Sequence, residues 1–313
     1  MPATPRCIEP PPRAGALGTV LILLTIGAFS ATPFIQGFAR YGFLLLIGGI
    51  ALWSSFALWS GIALRRGIGH WSGIALRHGI SRWIGIALRR GIALRSGIAL
   101  WSGRESLLPA FPVSFILSLT LAAFLIPGKF FPWPVPVLAA IGVYVAMAFI
   151  LPWMRRSLGW IRLGRLGRRE LLLIGGFSLL ASSALVLWVT LVHPDLSDLV
   201  AQLPLWPPIL LVLLGIAFAS LNAFAEEVLF RGFIFEALDS ALGYGLAPLV
   251  LQAVSFGMLH YHGFPRGWIG VGLATLYGLM MGIIRRSAGG MLAPWISHVF
   301  ADLTIFGVLW WMA

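Results

Sequence analysis

Two adjacent carboxylates, Glu226 and Glu227, stand inside a strongly apolar stretch of the 313-residue chain, in the run Ala225-Glu-Glu-Val-Leu-Phe-Arg231. Burying an ionised acid in hydrocarbon is costly, so acids found there mark a site and require a partner. Two imidazoles, His260 and His298, lie in later apolar segments, and Asp302 follows His298 at a spacing of four. Carboxylates and imidazoles together can take a proton from water, return it to a leaving group, or bind a metal ion. Residues four apart share a helix face, so Glu227 stands over Arg231 in the favourable order, acid first, while Glu226 points about 100° away. Glu227 is thus expected to be neutralised as an ion pair. Glu226, with no cation on its own face, is the better candidate for the catalytic carboxylate.

The elements that carry these residues are dictated by composition. With 59% hydrophobic and 10% charged residues and a mean hydropathy of +0.94, the chain is expected to be all-α, a polytopic bundle of transmembrane helices. Apolar runs able to cross roughly 30 Å of hydrocarbon occur at 17–36, 41–59, 107–127, 133–153, 171–192, 209–238, 243–261, 266–284 and 290–311, about nine spans. Basic residues concentrate in cytoplasmic loops. With the N-terminus inside, the cytoplasm receives Arg6 and Arg13, eight arginines between 60 and 104, six between 155 and 169, and Arg285 with Arg286. Only Arg40, Lys129 and Arg266 fall outside, which places the C-terminus outside and suggests an integral protein of the cell (plasma) membrane.

Between the second and third spans, residues 55–104 form a low-complexity insert in which Gly-Ile-Ala-Leu recurs at 61, 73, 85, 91 and 97, often followed by Arg. A six-residue period advances a helix face by about 240°, so no amphipathic stripe forms, and arginine interrupts every window long enough to span. The eight arginines supply most of the formal net charge of +12, so the basic balance is no argument for a nucleic-acid partner. The chain divides into spans 1–2 (1–54), the repeat loop (55–104), spans 3–4 with a basic cytoplasmic loop (105–170), and a unit at 171–313 that holds the acids and imidazoles. Cys7 is the only cysteine, which excludes an intrachain disulfide and a thiolate metal cluster. Motifs of soluble zinc proteases, serine hydrolases and phosphate-binding loops are lacking.

The candidate residues can meet in depth. Counted from the turn near Ala241, Glu226 lies about 15 residues back and His260 about 19 forward, so antiparallel helices rising about 1.5 Å per residue bring them to similar levels. His262 is expected in a loop before Gly263-Phe-Pro265, and His70, His78 and His193 in basic or interfacial segments.

Glu-Glu-x-x-x-Arg (226–231), Phe-x-x-x-His (256–260) and His-x-x-x-Asp (298–302), each in a late span, together resemble the CPBP family of intramembrane proteases, which takes in CAAX proteases and bacteriocin-processing enzymes and is also called Abi. The resemblance covers about residues 171–313. It implies an intramembrane endopeptidase acting on a membrane-associated substrate, CAAX-like or a bacteriocin-type peptide, in contact with membrane lipid. Under it Glu226 activates the hydrolytic water, helped by His260; Glu227 and Arg231 hold the motif's geometry, with Phe256 in support. His298 and Asp302 complete the site, either as ligands of a divalent metal or as donors to the oxyanion. Many relatives carry Asn at the last position, whereas an ionised Asp302 can only accept, which favours a metal ligand or the acceptor that orients His298. Zinc would suit a set of Glu226, His260 and His298, although water activation by Glu226 and His260 alone is chemically sufficient.

Overall fold

The computed structural model describes residues 13–35, 41–55, 109–125, 133–151 and 154–313, and among these the regular structure is helical. The helices are α1 (Ala16–Ala31), α2 (Tyr41–Ser55), α3 (Ala110–Leu125), α4 (Val135–Ile150), α5 (Arg168–Val192), α6 (Pro208–Glu227), α7 (Phe235–Leu242), α8 (Leu246–Leu259), α9 (Gly267–Ala288) and α10 (Leu292–Met312). A π-helical stretch, Val228–Ile234, joins α6 to α7 without a break. The repeat insert lies outside the described residues, apart from Ser55 at the end of α2.

Nine spans were expected, and among the described residues five segments are both long and apolar enough to cross a membrane: Ala16–Phe34, Arg168–Val192, Pro208–Leu242, Gly267–Ala288 and Leu292–Met312. Described helices lie in the other four segments too, and of these α4 and α8 end short of the apolar runs that contain them. Hydropathy counts apolar residues, whereas a helix stops where its backbone must. At the end of α4, Leu151 is already extended (φ −108, ψ 98), as the residue before a proline tends to be. Similarly Gly289, at φ 66, closes α9 by donating its N–H to Arg285, a left-handed cap that an L side chain resists.

In lipid, helix association relies on close packing and polar contacts rather than on expulsion of water. Both operate around the candidate site. Helices α8 and α9 run antiparallel with almost no side chain between them: a Cβ on Gly257 would lie 2.0 Å from Thr275 Oγ1 and 2.6 Å from the Val271 carbonyl, and one on Gly278 would lie 2.9 Å from Ala253 Cα. Hydroxyl pairs tie the outer helices on, Ser30 to Ser255 at 2.7 Å, Ser178 to Ser297 at 3.0 Å and Ser182 to Thr304 at 2.7 Å. The apolar core packs Ile22, Ile116, Tyr144 and Trp160 with Leu229 and Phe233 of the π-helical stretch.

At one end of the bundle, the segment before α5 lies along the α9–α10 turn. Arg165 N–H donates to the Ala288 carbonyl at 3.0 Å, and Met291 N–H to that of Arg162 at 2.7 Å. Buried Glu170 clamps the same end, accepting from Gly167 N–H at 3.1 Å and from Ser287 at 2.8 Å. At the other end Arg266 pairs with Asp198 at 3.0 Å, and its hydrogen bond holds that carboxyl below the usual carboxylate range.

Gly257→Val forces a branched side chain into the α8–α9 contact and is expected to lower stability in detergent by about 1–3 kcal/mol. Gly272→Val, where a Cβ meets nothing within 4 Å, serves as the control on the open face of α9. Equal thermal midpoints for the two variants would show that the seam is not close-packed.

Candidate active site

Each of the site's side chains is placed by a different part of this packing. Helix α6 delivers Asn222, Glu226 and Glu227 to the bundle interior, and the π-helical stretch that follows carries Arg231, which is 1% exposed. Such wide turns often mark functional sites. The close approach of α8 and α9 exposes the Gly278 carbonyl to two donors, Gln252 at 2.9 Å and Arg231 at 3.4 Å. Phe256 lies beneath the Arg231 guanidinium, 4.6 Å from its ring centroid, an attraction strengthened where water is excluded.

Glu227 is the hub of the cluster. Its Oε1 is 3.0 Å from Arg231 Nη1 and accepts a hydrogen bond from His298 Nδ1 at 2.7 Å. That bond fixes the imidazole so that Nε2 turns to two further acids, lying 3.5 Å from Glu226 Oε2 and 3.7 Å from Asp302 Oδ1. Asp302 Oδ2 in turn accepts from Asn222 Nδ2 at 2.9 Å, and Asn222 Oδ1 accepts from the Trp133 indole. His260, at the end of α8, donates Nδ1–H to the Phe256 carbonyl at 2.9 Å, so its Nε2 can only accept. Three carboxylates thus face one guanidinium and two imidazoles. Even with His298 charged, the acids outnumber the cations, so a neutral cluster holds a further proton among the acids.

His260, His298 and Asp302 form the polar part of the wall of a cavity of about 180 Å³ between α5 and α9, otherwise lined by apolar residues such as Leu185, Ala274 and Ile305. Glu226 is not in that lining. It sits beyond Nε2 of His298, its Oε2 buried with no hydrogen-bond partner among the described residues.

Several expectations change in this geometry. Glu226 and Glu227 project in different directions, yet both reach His298, because the ring lies between them and offers a nitrogen to each. Glu227 therefore does more than neutralise Arg231. The acceptor that orients His298 is Glu227 and not Asp302, whose nearer oxygen is beyond hydrogen-bond distance of Nε2 and whose other oxygen is taken by Asn222. His262 lies in a 3-10 turn, His260–His262, and its Nε2 meets the Pro33 carbonyl at 2.9 Å, away from the cluster. The zinc set of Glu226, His260 and His298 is not assembled: among the described residues no three His, Cys, Asp or Glu side chains are disposed to hold one metal ion. Both histidines turn Nε2 away from their Nδ1 partners, and Glu226 lies outside the cavity lined by their rings. Asn222 and Tyr277, the latter with its ring 5.3 Å from that of His298, were not anticipated. Asn222 had a readable signal, since it precedes Glu226 by four in an apolar helix.

A buried set of acids and imidazoles on apolar helices fits an intramembrane hydrolase. Residues 206–304, about a third of the chain, match the family model described as type II CAAX prenyl endopeptidase Rce1-like, a likeness that agrees with the resemblance carried by the three motifs. The match runs from just before α6 into α10 and contains the whole cluster from Asn222 to Asp302, leaving out α5 and the last residues of the unit expected at 171–313. No curated protein matches the chain, and no solved structure does.

Glu227→Gln removes the charge that balances Arg231 and weakens the anchor of His298, and is expected to cost about 3–5 kcal/mol of stability, the range for breaking a buried pair. Glu226→Gln, whose Oε2 holds no committed hydrogen bond, is expected to cost far less. Thermal unfolding of both purified variants in detergent checks this, and equal losses would remove Glu227 from its position as hub.

Proposed function

We propose that this chain is an intramembrane endopeptidase that hydrolyses a peptide bond of a membrane-associated substrate, CAAX-like or a bacteriocin-type peptide, with the basic end of the bundle facing the cytoplasm and the N-terminus on that side. The observation that carries the proposal is His298 held at Nδ1 by Glu227, with Nε2 next to Glu226 and on the wall of a mostly apolar cavity. Glu226 accepts a proton from water through its unpartnered Oε2. The resulting hydroxide adds to the carbonyl carbon, and the C=O electron pair moves to oxygen. His298, whose Nε2 is 3.5 Å from that carboxylate, passes the proton to the amine nitrogen as the C–N bond breaks. His260, able only to accept at Nε2, orients the attacking water. These steps need no metal.

Glu226→Gln keeps size and hydrogen-bonding capacity but cannot take the proton, so turnover of a lipid-anchored or membrane-inserted peptide is expected to fall by at least about 10²-fold with the fold intact. Dialysis against 1,10-phenanthroline is expected to leave turnover in place. Cleavage that persists in Glu226→Gln would overturn the assignment of the base, and loss of activity that zinc restores would return the histidines to a metal. A panel with no Glu226-dependent cleavage would leave the cluster as the polar core of a non-catalytic scaffold.

A further inference from the structure

Hydrolysis through a tetrahedral intermediate requires a hydrogen-bond donor for the oxyanion, and the residues assigned so far do not provide one. The polar side chains lining the cavity are His260, Tyr277, His298 and Asp302. His260 has spent its only N–H on the Phe256 carbonyl. His298 has spent Nδ1–H on Glu227, and its Nε2, 3.5 Å from Glu226 Oε2 and 3.7 Å from Asp302 Oδ1, is assigned to carrying the proton to the leaving amine. Asp302 accepts from Asn222 at Oδ2 and turns Oδ1 to His298. Tyr277 is the member of this lining with neither a partner among the described residues nor an assigned task.

Its phenolic oxygen is fully buried and, among the described residues, has no hydrogen-bond partner. This is unusual for a buried tyrosine, whose hydroxyl normally finds one. The ring nonetheless sits at the reacting end of the cavity, 5.3 Å from the His298 ring and 6.2 Å from that of Phe256. Apolar surroundings strengthen any hydrogen bond formed there.

Building on the hydrolase reading, we infer that the Tyr277 hydroxyl is the oxyanion donor. As hydroxide adds to the carbonyl carbon, the displaced C=O electron pair comes to rest on oxygen, which accepts the O–H of Tyr277. The bond is released when the intermediate collapses and the amine leaves with the proton that Glu226 took from water. The hydroxyl is thus unpartnered in the resting protein because its partner forms only during the reaction. This is how a donor raises turnover without tightening substrate binding.

Tyr277→Phe removes only the hydroxyl, and the two possible roles give opposite readings. An oxyanion donor predicts a fall of about 10²–10³-fold in kcat with KM nearly unchanged. It also predicts a thermal midpoint equal to or above that of the wild type, because the deleted group had no partner to lose. A structural role predicts a lower midpoint. Turnover within threefold of wild type, a destabilised variant, or one that does not fold would each overturn the inference. Glu226→Gln assayed beside it separates the two levels. If that variant is inactive while Tyr277→Phe is active, only the oxyanion assignment falls. If both turn over the substrate, the assignment of Glu226 falls as well.

Discussion

A single carboxylate oxygen, Oε1 of Glu227, receives both the Arg231 guanidinium and the Nδ1–H of His298, and the cluster depends on that shared acceptance. An arginine that is 1% exposed inside a bundle of apolar helices would be untenable without a counter-charge, and an imidazole among three acids would have no fixed orientation. One acid meets both needs. It neutralises the cation on its own helix and commits one nitrogen of the histidine from another, so that the second nitrogen faces Glu226 and the cavity. The site is therefore preorganised by a structural ion pair, which is how buried electrostatics avoid reorganising when charge develops.

The rest of the fold protects this arrangement. The π-helical stretch keeps Arg231 inside immediately after the acids, where its guanidinium stacks on Phe256 and reaches the Gly278 carbonyl. That carbonyl is within reach only because Gly278 packs directly on Ala253. A methyl group at the α8–α9 seam would separate the helix that ends in His260 from the one that carries Tyr277. Helix packing and the geometry of the polar cluster are one constraint here, expressed through residues that carry no charge.

Much of this was legible in the residues themselves. Acids inside an apolar run pointed to a buried polar cluster, and a spacing of four paired Glu227 with Arg231. What stayed hidden depends on which face of one helix meets which face of another. The 2.7 Å bond between Glu227 and His298 joins residues 71 positions apart, and no spacing rule predicts that it displaces Asp302 as the partner of His298. The π-helical stretch has no periodicity of its own, since its seven residues are all buried and mostly apolar. The apolar runs around α4 and α8 likewise extend past the helix ends, since Leu151 is extended and His260–His262 form a 3-10 turn.

The hub is tested most directly by a double-mutant cycle on stability, using Glu227→Gln, His298→Gln and the two together, each purified in detergent and unfolded thermally. A shared hydrogen bond predicts that the double variant loses less than the two single losses combined, with a coupling energy of about 0.5–3 kcal/mol, the range for residues in direct contact. Strict additivity would mean that Glu227 does not hold His298, and the preorganised site would lose its foundation.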